Sequence, residues 1–156
     1  MTPRIGGGLC ALLLSLCHVP SAAAGTLTAT KIDTGEVLAS IDMPKGQGWC
    51  ILWHHSVKGF EVADCYENRD GHMVLVRAHL PDFAAGLDHI PGRGRQVSDG
   101  MGGYWIEDID EAVVGNAYVL RPGAGFVDHR IRAGETEVSL SAQAPRARVR
   151  IALTGD

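Results

Sequence analysis

Trp49-Cys50-Ile51-Leu52-Trp53-His54-His55-Ser56-Val57-Lys58-Gly59-Phe60-Glu61-Val62-Ala63-Asp64-Cys65-Tyr66 reads as two β-strands folded about Val57 to Gly59. A turn centred on Val57-Lys58 sets Cys50 opposite Cys65, Leu52 opposite Ala63 and His54 opposite Glu61. All six share one face, because strand side chains alternate with a period of two. Trp49, Ile51, Trp53 and His55 then fall on the other face with Val62, Asp64 and Tyr66.

Outward from this hairpin the chain keeps the same rhythm. Short alternating runs bounded by Gly, Pro, Asp or Asn predict strands over 27–32, 36–41, 73–79, 104–106, 117–121, 126–131, 136–141 and 148–153. In the last of these Val149, Ile151 and Leu153 face one way, and Arg148, Arg150 and Ala152 the other. Turn signals separate the runs at Asp33-Thr34-Gly35, Lys45-Gly46-Gln47-Gly48, Asn68-Arg69-Asp70-Gly71 and Pro122-Gly123-Ala124-Gly125. Only Ile109 to Val114 suggests a short helical turn. The pattern predicts an all-β fold, a small antiparallel β-sandwich or partly open barrel. The segment Pro81 to Gly103, with six Gly and two Pro, breaks the rhythm and reads as a long connection, either functional or a plain surface excursion.

The N-terminus carries a different message. Arg4, the apolar run Leu9 to Leu16, Pro20 and Ala22-Ala23-Ala24 form the pattern of a secretory signal, with the mature chain expected to start at Gly25. The apolar stretch from Leu9 to Val19 is 11 residues, against about 20 for a membrane span. Leu16 before Cys17 argues against a lipoprotein site. Domain organisation is therefore read as a signal peptide over 1–24 and one all-β domain over 25–156, without stable membrane insertion.

Loss of the leader leaves 132 residues with 13 basic and 18 acidic side chains, a net charge of -5. This mildly acidic balance, without a basic stripe, argues against nucleic acid as a partner. Of four cysteines, only Cys50 and Cys65 remain. In an oxidising compartment they are expected to form a disulfide, worth on the order of 3 kcal/mol in the chain-entropy model. Their spacing fits neither a Cys-x-x-Cys redox motif nor a zinc pattern.

The segment His55-Ser56-Val57, with Trp53 two residues before it and Glu61 and Asp64 after it, resembles the signature hairpin of domain-of-unknown-function family 1850. In that family an aromatic-x-His-Ser-Val segment is followed by an acidic residue on the next strand. Phe83-Ala84-Ala85-Gly86-Leu87 is similar to the family's Gly-Ala-Gly-Leu-type loop, with Ala84 in place of the first Gly and Asp88 where a Pro is expected. The overlap runs over 49–153. The resemblance implies a bacterial exported protein, often encoded beside permeases of TAXI-type TRAP transporters, with no established activity. A TRAP-type permease or solute-binding protein is the partner it implies.

Six histidines remain beyond the leader: His54, His55, His72, His79, His89 and His129. A metal site would draw on His55 or His54 with Glu61 or Asp64 and a loop His. A hydrolase would use Ser56 as nucleophile, His55 or a loop His as base and Glu61 or Asp64 as orienter, yet neighbours in a strand face apart and no Gly-x-Ser-x-Gly elbow is present. A third reading makes His55 and Ser56 a turn device whose side chains bond nearby backbone. Arg93 and Arg95 carry guanidinium forks suited to a carboxylate, hence to a small organic anion. The candidate binding residues are therefore His55, Ser56, Glu61, Asp64, Arg93 and Arg95. No cofactor is expected, no residue is assigned to catalysis, and a non-catalytic binding or accessory role is favoured.

Overall fold

A computed structural model describes residues 25–80 and 91–155, and it is built of two antiparallel sheets with no closed barrel. Residues 1–24, read from sequence as a signal peptide, and the Phe83 to Leu87 motif, with Asp88 and His89, lie outside the described residues.

The smaller sheet has the order β2-β1-β12-β9, from β1 (Thr26–Lys31), β2 (Val37–Asp42), β9 (Ala117–Leu120) and β12 (Val149–Thr154). The first and last strands of the described chain thus pair directly, Leu27 with Leu153 and Lys31 with Val149. The larger sheet runs β11-β10-β3-β4-β5-β7-β6. Its strands are β3 (Gly48–His54), β4 (Glu61–Arg69), β5 (His72–Leu80), β6 (Arg95–Ser98), β7 (Tyr104–Glu107), β10 (Arg130–Ala133) and β11 (Thr136–Ser139). A two-residue strand, β8 (Glu111–Ala112), pairs with β5 beside them.

Alternation explains how the sheets meet. Leu27, Ala29, Val149, Ile151 and Leu153 of the smaller sheet pack on Trp49, Ile51, Met73 and Ile131 of the larger one. Arg150, between two of these buried residues, is exposed. A second apolar cluster extends the same inner layer beneath β5 and β7, with Val62, Leu75, Tyr104 and Ile106, and Trp53 and Tyr66 touch both clusters. The β4–β5 hairpin closes on Asp70 and Gly71, both at positive φ (53° and 82°), as a two-residue turn matched to strand twist requires.

The structure departs from the sequence expectations in four places. Residues 126–129 are not strand: Val127 and Asp128 both donate backbone N–H bonds to Ala124 O, and Asp128 sits at φ 48°, so the ladder begins only at Arg130. The strand expected over 136–141 stops at Ser139, whose hydroxyl accepts from the Ala142 N–H and caps a one-turn helix, α1 (Leu140–Gln143). Ile109 to Val114 holds β8 rather than a helical turn, and a 3-10 turn follows at Val114–Asn116. The expected long connection contains β6, which pairs with β7. Among the described residues no helix is long and apolar enough to cross a membrane.

Candidate functional site

The hairpin register is the one its sequence implies: Cys50 pairs with Cys65, Ile51 with Asp64, Leu52 with Ala63, Trp53 with Val62 and His54 with Glu61. The Cys50 and Cys65 sulfurs are bonded, with Cα atoms 4.0 Å apart. They lie on the outer face of the larger sheet with Leu52, Ala63 and Trp105. Asp64 and Tyr66 point the other way, into the layer between the sheets.

This register separates the six binding candidates. His55 sits at the hairpin tip, where its Nδ1 accepts from the Val57 and Lys58 N–H groups at 3.3 and 3.2 Å and its ring rests on Phe60. Ser56 is exposed beside it. Glu61 lies on the outer face and accepts a hydrogen bond from Arg130 Nη2. That guanidinium is itself buried and also meets Asp128 through Nη1, while Glu137 Oε1 lies 3.3 Å from its Nε but out of line for a hydrogen bond. Burial pushes the Asp128 carboxyl up, yet Arg130 and the Ser139 hydroxyl outweigh it and hold the group below its ordinary range.

Arg93 forms a two-pronged bond with Glu111 at 2.7 and 3.0 Å, and Arg95 reaches Glu107 and Asp108 at 2.9 and 3.2 Å. Both forks thus hold carboxylates of the chain itself. The hydrogen bond to Arg93 keeps Glu111 below the usual carboxylate range. Among the described residues no group of three or more His, Cys, Asp and Glu side chains is placed to hold a metal ion.

Asp64 alone of the six lines a cleft between the sheets. This space of about 230 Å³ is bounded by Ile51, Trp53, Tyr66, Tyr118, Leu120 and His129 as well as Asp64. Burial raises the Asp64 carboxyl above its ordinary pKa, with Arg93 opposing the shift from a distance. Its carboxylate takes no hydrogen bond from the described residues. Tyr66 is pushed up to about 12 by burial and by the Asp64 charge, and burial lifts Tyr118 well above its ordinary value. Both phenols therefore stay protonated. The Tyr118 hydroxyl meets the Tyr66 hydroxyl and the Trp49 indole N–H in side-chain contacts short of ideal hydrogen-bond geometry, and the three rings stack in sequence at 5.6 and 5.4 Å.

His129 closes the fourth side. Its ring stacks on Trp53 at 5.8 Å and its Nδ1 accepts from the Gly123 N–H at 3.0 Å. Burial lowers its pKa, opposed by Asp128, so the ring is neutral at pH 7 and carries its proton on Nε2. The backbone is held equally firmly. Ser141 Oγ accepts from the His129 N–H, and the N–H groups of Leu140 and Ser141 donate to its carbonyl.

The cleft is therefore walled by the rings of Trp53, Tyr66, Tyr118 and His129, with the Asp64 carboxylate as its acidic group. Hairpin alternation groups Ile51, Trp53, Asp64 and Tyr66. Tyr118 and His129 are distant in sequence and carry no local motif, so only the pairing of β12 with β9 and the fold of residues 122–129 bring them in.

A family model described as a domain of unknown function, DUF1850, matches residues 50–140 and so spans the hairpin, the cleft strands of the larger sheet and His129. No curated protein and no solved structure matches the chain.

Proposed function

The chain belongs to the DUF1850 family, and from that premise we propose that it is a non-catalytic binding module that holds a small organic molecule in the cleft beside Asp64. The observation that carries this reading is a half-buried carboxylate that takes no hydrogen bond from the described residues, in a cleft walled by aromatic rings. A carboxylate among three aromatic rings suits a ligand with a protonated amine or another hydrogen-bond-donating head. The neighbouring apolar residues Ile51 and Leu120 suit a compact apolar body. An organic anion held by Arg93 and Arg95 would first have to displace Glu111, Glu107 and Asp108.

In this reading the protein is exported to the periplasm and serves a TRAP-type uptake system by delivering or sensing solute at a permease or solute-binding protein. Support comes from the leader-like residues 1–24, the cysteine pair and the family resemblance of the hairpin. The ligand arm is tested by thermal shift of the protein with small aromatic and aliphatic amines, where Asp64→Asn should abolish any stabilisation. For the transport arm, co-purification of the protein with permease components from its native membrane is expected. Recovery without any transporter component would overturn that link while leaving the ligand reading intact.

A further inference from the structure

We propose that the Cys50–Cys65 bond is a site of thiol–disulfide exchange with small anionic thiols, in addition to bracing the sheet. The register places Arg132 beside Cys50 and Arg77 beside Cys65, so one row across the outer face of the larger sheet reads Arg132, Cys50, Cys65, Arg77. Both sulfur-bearing residues and both arginines line an open groove of about 370 Å³. Gly46, Gly48 and Gly134 also line it, so few side chains narrow the approach. The two cysteines are unequally reachable, since Cys65 is 3% exposed and Cys50 is only half-buried.

This asymmetry assigns the order of events. The incoming thiolate attacks Sγ of Cys50, the reachable sulfur, and the S–S bond breaks with its electron pair passing to Sγ of Cys65. A mixed disulfide forms at Cys50 and a thiolate is released at Cys65. Arg132 favours approach of an anion, although Glu137 holds its Nε at 2.7 Å, and Arg77 favours the departing thiolate. The Arg77 guanidinium is kept nearby, stacked 4.5 Å over Trp105, whose ring packs against the apolar cluster of Leu52, Ala63 and Cys65. A second thiolate then attacks the outer sulfur of the mixed disulfide. The balance is two small thiols oxidised to their disulfide and two cysteines reduced, with the thiol protons ending on Cys50 and Cys65.

The test uses the folded protein with glutathione (anionic), 2-mercaptoethanol (neutral) and cysteamine (cationic), each rate normalised to a simple aliphatic disulfide. Glutathione is expected to be favoured. Arg132→Gln should slow glutathione about fivefold, as one nearby screened charge implies, and leave 2-mercaptoethanol unchanged. Arg77→Gln should slow both. Acid quenching followed by peptide mass spectrometry should place the first glutathione on Cys50, and Trp105 fluorescence should change in step. Equal normalised rates for the three thiols, insensitive to both substitutions and equal to the rate of global unfolding, would overturn the proposal and leave a purely structural bond.

Discussion

His129 lies flat against Trp53, the ring planes 5° apart, while its Nδ1 accepts a hydrogen bond from the Gly123 N–H. Protonation would remove that acceptor, and burial opposes the charge as well. The folded pKa is thus below the ordinary 6.5, and the unfolded chain binds the proton first as pH falls. Stability contributed by neutral His129 is present above about pH 6.5 and is lost on acidification through the folded pKa. The expected slope is at most about 1.4 kcal/mol per pH unit. Denaturant titrations between pH 7.5 and 5 check this, and His129→Phe, which keeps the stack, should flatten that part of the profile.

Asp64 behaves in the opposite sense. Its folded pKa is raised by burial, so the ionised form is a cost at neutral pH that disappears as pH falls through that value. Asp64→Asn should stabilise the ligand-free protein by on the order of 1 kcal/mol at pH 7 and remove the associated pH dependence. A loss of stability in this variant would show that the carboxylate is satisfied within the fold, contrary to the geometry described.

Arg130 stands between Glu61, Asp128 and Glu137 with its guanidinium buried. Removing it leaves three carboxylates close together. Arg130→Met is expected to cost about 2–3 kcal/mol by urea denaturation, whereas Glu61→Gln, at a partly exposed partner, should cost less than about 1 kcal/mol. The same Glu61→Gln protein should retain ligand response in the cleft, since Glu61 faces the opposite side of the sheet.

His55 is expected to act through the turn that it caps. His55→Ala should cost about 1 kcal/mol through loss of the two N–H bonds and the contact with Phe60. Ser56→Ala, at an exposed tip, should fall within about 0.5 kcal/mol of the parent. If His55→Ala instead left stability unchanged while abolishing ligand response, the turn role would be wrong.

Much of this was legible from alternation. The cysteine pair, Leu52 against Ala63 and Asp64 beside Trp53 and Tyr66 follow from a period of two and one turn. Val149, Ile151 and Leu153 were equally readable, because each second residue of β12 meets the core. Alternation misled at 126–129, where Phe126 and Val127 mimic a strand but a turn on Ala124 holds the backbone. It could not foresee α1, whose single turn depends on Ser139 and on two bonds to the His129 carbonyl. Nor could it join Tyr118 and His129 to Asp64, since the smaller sheet and the 122–129 turn supply that contact at long range. The pairing of Arg93 and Arg95 with Glu111, Glu107 and Asp108 was hidden for the same reason.

On the proposed reading, the cleft between Asp64, Tyr118 and His129 receives a small hydrogen-bond-donating ligand. Its most direct test is a two-dimensional NMR titration of the folded protein with phenethylamine and a matched set of small amines. Saturable shifts are expected, centred on the Trp53 indole, the His129 ring and the Tyr118 amide, abolished by Asp64→Asn and kept in Glu61→Gln. Absence of saturable shifts at these groups with every amine, or shifts that persist in Asp64→Asn, would contradict it.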